Sequence, residues 1–72
     1  MMADSKPKVL VVDEDPLVAR MLLECLRPLE VETWTVHSGR EAVDEAVAAR
    51  PDLVLLEVRL GDMDGFAVAA QL

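Results

Sequence analysis

Two apolar runs that end in acids constrain the fold of this chain more than any other feature. Residues 9–12 (Val-Leu-Val-Val) lead into residues 13–15 (Asp-Glu-Asp), and residues 53–56 (Leu-Val-Leu-Leu) lead into Glu57. Unbroken apolar runs of this length are typical of strands that are buried on both faces, as in a parallel sheet. Because ligands bind beyond the carboxyl ends of such strands, we expect the acids to meet at one rim of a sheet.

The segments between these runs carry helix signals. Asp15 and Pro16 suit an N-cap and a first helical position, and Pro28 should end that helix near Leu26 or Arg27. Residues 38–41 (Ser-Gly-Arg-Glu) form a capping box, and Pro51 stops the second helix. Asp64 caps a last helix.

Three strands separate these helices. We predict a first strand over Lys8–Val12, a moderately polar edge strand over Val31–Val36 and a third strand over Leu53–Val58. Strands that alternate with helices favour an α/β fold in which right-handed crossovers join a parallel sheet. The predicted order of elements is β-α-β-α-β-α.

Length, charge and cysteine content limit the class of protein. The chain has 72 residues, which suits at most one domain, and its single cysteine, Cys25, can make no internal disulfide. A net charge of −7 without clustered Lys and Arg argues against nucleic-acid binding by this segment. No apolar run approaches the roughly 20 residues that span a bilayer, and residues 1–8 lack the apolar core of a signal peptide. We therefore expect a cytoplasmic protein that does not bind a membrane.

The acids themselves suit a cation. Asp13, Glu14 and Glu57 carry hard oxygen donors, and carboxylates at strand ends can hold Mg²⁺ together with water and a backbone carbonyl. On spacing alone, helix capping or simple solvation accounts for acids after strands more often than a metal does.

The order and spacing of these pieces resemble the N-terminal half of a bacterial response-regulator receiver domain over residues 6–72. The matching segments are residues 9–16, residues 38–42, residues 51–60 and residues 63–65. The resemblance implies a partial flavodoxin-like three-layer fold with a parallel sheet of order 2-1-3. It also implies that residues 1–7 form a tail and that residues 8–72 form an incomplete receiver, which lacks the last two strands and their helices.

The resemblance assigns a role to several positions. Asp13 and Glu14 match the acidic pair that holds Mg²⁺, and Arg59 matches the residue whose backbone carbonyl is another metal ligand. Glu57 falls on the phosphoacceptor position, where the family carries Asp and accepts a phosphoryl group from a histidine kinase. A sensor histidine kinase or another signalling protein is therefore the expected partner.

Three departures from the family pattern bear on this function. Glu57 has an extra methylene, which moves its carboxylate by roughly 1–1.5 Å. Gly61 stands where the family usually has Pro, and this loosens the loop. The family's later Ser or Thr and Lys, which stabilise phosphoryl charge, are absent from these 72 residues. We therefore expect a degenerate or truncated receiver that is not an enzyme and is not phosphorylated at Glu57. It would act through protein contacts and could self-associate through its third strand.

Two alternatives stay open at this point. Asp13 and Asp15 also fit the D-x-D start of the haloacid-dehalogenase-like phosphatases, with the first Asp as nucleophile and the second as acid/base, although this pattern is short. The chain could also be an interaction module that binds no metal. His37 is the only histidine, and we interpret it as a solvated loop residue rather than a phosphohistidine.

Overall fold

Three strands and three helices alternate along the chain in the computed structural model, which describes residues 6–57 and 60–72. The elements are β1 (Lys8–Val12), α1 (Pro16–Leu26), β2 (Glu32–Val36), α2 (Gly39–Ala49), β3 (Leu53–Leu56) and α3 (Gly65–Gln71), with a short 3-10 turn over Arg27–Leu29. Most of the predicted tail, the end of the predicted third strand at Val58 and the predicted Arg59 ligand lie outside the described residues.

The three strands form one parallel sheet in the order β2-β1-β3. Val12 at the end of β1 is level with Val36 of β2 on one side and with Leu56 of β3 on the other. This arrangement confirms the predicted α/β class, the partial receiver fold with order 2-1-3 and the edge position of β2.

The helices begin where the sequence predicts because a polar side chain caps each of them. Asp15, Ser38 and Asp64 precede α1, α2 and α3, and each accepts a hydrogen bond of 2.8 to 3.1 Å from a backbone N–H in the first turn. The helix α1 ends at Leu26, ahead of Pro28, as expected.

The core lies on both faces of the central strand β1. Leu10 and Val12 point to the face that carries α2 and α3, and the buried residues of this cluster are Leu10, Val12, Val36, Ala42, Leu60 and Val68. Because side chains alternate along a strand, Val9 and Val11 point to the opposite face. Both are buried, and α1 with its buried Ala19 covers them.

The strand β3 is less buried than its sequence predicts. Leu53 is 51% exposed and the other three residues are half-buried. Within the described part of the chain β3 pairs with β1 alone, so its other edge has no partner strand there. The same part of the chain contains no helix long and apolar enough to cross a membrane.

Candidate functional site at the carboxyl end of the sheet

Asp13 and Glu57 lie side by side because each follows one of two paired strands. Val12 and Leu56 are level in the β1–β3 pair, and the Glu57 N–H donates a hydrogen bond of 2.9 Å to the Val12 carbonyl. Both acids contribute to one groove of about 320 Å³ between α1 and the sheet. The apolar residues that line it are Val12, Val18, Leu22, Leu55 and Leu56. The structure thus brings two of the predicted site residues to one place.

Asp13 is held by the turn that leads into α1. Its side chain is almost fully buried, since the residue is only 6% exposed. The carboxylate oxygen Oδ1 accepts a hydrogen bond of 3.0 Å from the Asp15 N–H, while the Asp13 N–H donates to the Val36 carbonyl at 3.2 Å. These contacts satisfy part of the hydrogen-bonding capacity of a buried acid and fix its direction.

His37 contacts the backbone of the same acid. The ring atom Nδ1 lies 3.0 Å from the Asp13 carbonyl oxygen, and the His37 N–H donates to Glu41 Oε1 at 3.1 Å. A carbonyl oxygen only accepts, so Nδ1 carries a proton in this contact. The residue is exposed, as expected of a loop histidine, but its ring has a defined partner that the sequence did not indicate.

Glu14 turns toward the loop between β3 and α3. A Cβ atom added to Gly61 would overlap the Glu14 oxygen Oε2 and would lie 3.3 Å from Glu14 Cδ. The Glu14 carboxylate therefore occupies the space that a side chain at position 61 would fill. Both residues are otherwise exposed.

The same loop is tied to the start of α2 by Asp62. Its two carboxylate oxygens accept hydrogen bonds from the backbone N–H groups of Gly39, at 2.8 Å, and Arg40, at 2.9 Å. These donors belong to the first turn of α2, where intrahelical acceptors are lacking. The two bonds lower the pKa of Asp62 below its ordinary value because they stabilise the charged carboxylate. Sequence reasoning missed this residue, since an acid in a loop gives no signal of which helix start it will reach.

The predicted metal ligands have the donor atoms that Mg²⁺ prefers, but their side chains do not form a cluster in the described residues. Carboxylate oxygens are the donors that this cation prefers. Within residues 6–57 and 60–72, however, no three Asp, Glu, His or Cys side chains lie close enough together to hold a metal ion. The position of Glu14 against Gly61 agrees with this finding. Among the described residues, Asp13, Glu14 and Glu57 thus do not lie together around one point, and their role as ligands stays a prediction.

Comparison with known proteins identifies the family. The family model described as "Response regulator receiver domain" matches residues 9–72. Among curated proteins, the DNA-binding response regulator MtrA of Mycolicibacterium smegmatis is 40% identical over 63 residues, which are 88% of this chain and 28% of that protein. The chain therefore spans less than a third of the length of this relative.

Solved structures give the same result. The N-terminal domain of a response regulator receiver protein from Methanoculleus marisnigri has a TM-score of 0.84 and 31% identity, over 89% of this chain and 52% of that one. A second match is the receiver domain of a sensor histidine kinase from Pseudomonas aeruginosa, which was solved with magnesium in its active site cleft. Its TM-score is 0.86 and its sequence is 27% identical, over 93% of this chain and 55% of that one. With the family model matching nearly all of the chain, this protein belongs to the response regulator receiver domain family.

Proposed function

We propose that this chain serves phosphorelay signalling as a degenerate receiver that is not phosphorylated at Glu57. Its function would be to bind another protein. Family membership supports the signalling role. The observation that carries the finer proposal is the presence of a glutamate directly after β3, beside Asp13, at the rim where family members carry an aspartate.

The geometry of Glu57 supports the loss of phosphoryl transfer. Its N–H bonds to the Val12 carbonyl, so the Glu57 backbone continues the pairing of β3 with β1. The extra methylene then carries the carboxylate roughly 1–1.5 Å further from the strand than an aspartate would reach. Phosphoryl transfer depends on in-line positioning, and an error of about 1 Å can cost about 10²-fold in rate.

The other parts of the proposal follow from the same rim. Asp13, Glu14, Glu57 and the Arg59 carbonyl are the ligands we propose for weak binding of Mg²⁺, and Glu14 would have to turn away from Gly61 to take part. A sensor histidine kinase or another signalling protein in the cytoplasm is the proposed partner. We assign no catalysis to the chain and, given its net charge of −7, no contact with nucleic acid.

Mass spectrometry of the intact protein tests the central claim. The chain is incubated with a small-molecule phosphodonor and Mg²⁺, and the product is analysed for the mass of one added phosphoryl group. We expect no adduct on Glu57, because the longer side chain misplaces the attacking oxygen. A stable adduct that maps to Glu57 would refute the proposal.

Two variants serve as controls for this experiment. Glu57→Asp restores the shorter acid at the same backbone position, so any phosphoryl uptake should appear on this variant rather than on the wild type. Glu57→Gln removes the nucleophile, so an adduct that persists on it is located at another residue. Circular dichroism confirms that all three proteins are folded to the same extent.

A further inference from the structure

We propose that the outward face of α1 binds α1 of a second copy of this chain, so that the two helices pack antiparallel around a two-fold axis. This contact depends only on the surface of α1 and is independent of the signalling function proposed above. It also differs from self-association through the third strand, which would use backbone groups at the edge of β3. Three features of α1 support it: an exposed apolar line, a balance of charge and the order of its two charged residues.

The apolar line runs along α1 on the side away from the sheet. Leu17 and Met21 are 65% and 60% exposed, whereas Ala19 between them is 1% exposed. Each residue turns a helix by about 100°, so Leu17 and Met21 point nearly opposite to Ala19 and lie one turn apart. Val18 and Cys25, which are also exposed, extend this surface along one flank. A second helix laid on this line would remove these side chains from water.

The charge of α1 favours a copy of the same helix as the partner. Arg20 and Glu24 are the charged residues of α1 and cancel each other, whereas α2 carries one Arg against three acids. Because the chain has a net charge of −7, two copies repel each other overall. The neutral face of α1 therefore lets two copies approach with less repulsion than the face of α2.

The order of the two charges makes this face complementary to itself. Arg20 and Glu24 lie one turn apart, on the other flank of the apolar line. A two-fold axis level with Leu22 therefore brings Arg20 of each copy next to Glu24 of the other. Glu24 also pairs with Arg27 at 3.6 Å, but both side chains are more than half exposed. Such a pair contributes little, so it does not prevent a second ion pair across the axis.

The size of the face sets the expected strength of the dimer. The helix has 11 residues and is therefore about 16 Å long. A stable complex buries about 800 Å² on each partner, which is more than one face of so short a helix offers. We therefore expect a weak dimer that is populated at high protein concentration.

Reversal of the two charges tests the pairing. Arg20→Glu changes the net charge from −7 to −9, and Glu24→Arg changes it to −5. Each variant alone sets like charges opposite each other, whereas an equimolar mixture restores opposite charges at both contacts. We expect the mixture to dimerise at least about fivefold more tightly than either variant alone, measured by sedimentation equilibrium. Association controlled by net charge would give the mixture an intermediate Kd, and this result would overturn the proposal.

Cross-linking tests the place of the contact. Met21 lies one residue from the proposed axis, so Met21→Cys in a Cys25→Ser background should form a disulfide-linked dimer in oxidised glutathione. Val47→Cys in the same background is the control, because Val47 is 74% exposed on α2. We expect at least about fivefold faster dimer formation at position 21 than at position 47.

Two results would contradict this contact. Equal rates of cross-linking at the two positions would show that α1 is not the interface, and a wild type that stays monomeric up to about 1 mM would show that no such dimer forms. Circular dichroism of every variant confirms that the helices are retained. None of these measurements depends on the chemistry of Glu57, so a phosphoryl adduct there would refute the proposed function and leave the dimer unaffected.

Discussion

At the scale of single residues, Asp62 connects the loop after β3 to the start of α2 through two hydrogen bonds. Its bonds to Gly39 and Arg40 lower its pKa in the folded state, so its stabilisation is complete above the unfolded value of about 4. It is lost as the pH falls through the lower folded value. Asp62→Asn removes the charge and one of the two acceptors. We expect a lower free energy of unfolding at pH 7 and a weaker pH dependence below about pH 4, measured by urea unfolding.

Asp44→Asn is the matched control for that prediction. Asp44 is an exposed acid like Asp62, but it lies within α2 and its contact is an ion pair of 3.9 Å with the Arg40 side chain. Exposed pairs of this kind contribute little to stability, so Asp44→Asn should keep both the unfolding free energy and its pH dependence near wild type. Equal behaviour of the two variants at every pH would show that the Asp62 bonds do not stabilise the fold.

At the scale of elements, the close approach of α2 to α3 depends on Gly39. A Cβ at this position would lie 2.8 Å from Val68 Cγ2 and 2.9 Å from Met63 Cβ, and Val68 is fully buried. Gly39→Ala therefore forces the two helices apart, and overpacking of this kind costs about 1–3 kcal/mol. We expect a loss of that size in urea unfolding, accompanied by shifts of the Val68 methyl resonances.

Gly61→Ala makes the same chemical change where the space is occupied by a movable side chain. The added Cβ meets the Glu14 carboxylate alone, so this variant should lose little stability or none. If Gly39→Ala proves as stable as Gly61→Ala, the packing between α2 and α3 is looser than the contacts of Gly39 indicate.

Two side chains that accept hydrogen bonds at the start of α2 show what the sequence could predict and what it could not. Ser38 was identified because its cap bond to Glu41 spans three residues and leaves a local pattern. Asp62 reaches the same helix start from 22 and 23 residues away, a distance that the fold alone determines. Strand order and the rim were predictable from apolar runs and family resemblance. The exposure of β3 and the position of the Glu14 side chain could not be predicted, because both depend on which residues pack around them in the folded chain.

At the scale of the whole molecule, two forces oppose each other. The outer edge of β3 and several large side chains, among them Leu17, Met21 and Phe66, expose apolar surface that favours association. The net charge of −7 on each chain opposes it. Salt screens charge over about 8–10 Å near physiological ionic strength and leaves apolar contacts intact. The balance between these forces should therefore shift with ionic strength.

We predict that the 72-residue chain self-associates through β3 and that added salt promotes this association. Leu53 is 51% exposed on the edge strand, and Leu53→Lys places a charge there, which opposes pairing with a second sheet. Val47→Lys is the control, because Val47 is 74% exposed on α2 and the change adds the same charge away from that edge. Sedimentation velocity over a range of protein and salt concentrations should show larger species for the wild type and for Val47→Lys, and fewer for Leu53→Lys. A folded wild-type monomer under all conditions would contradict the prediction, and equal loss of association in both variants would show that the β3 edge is not the contact.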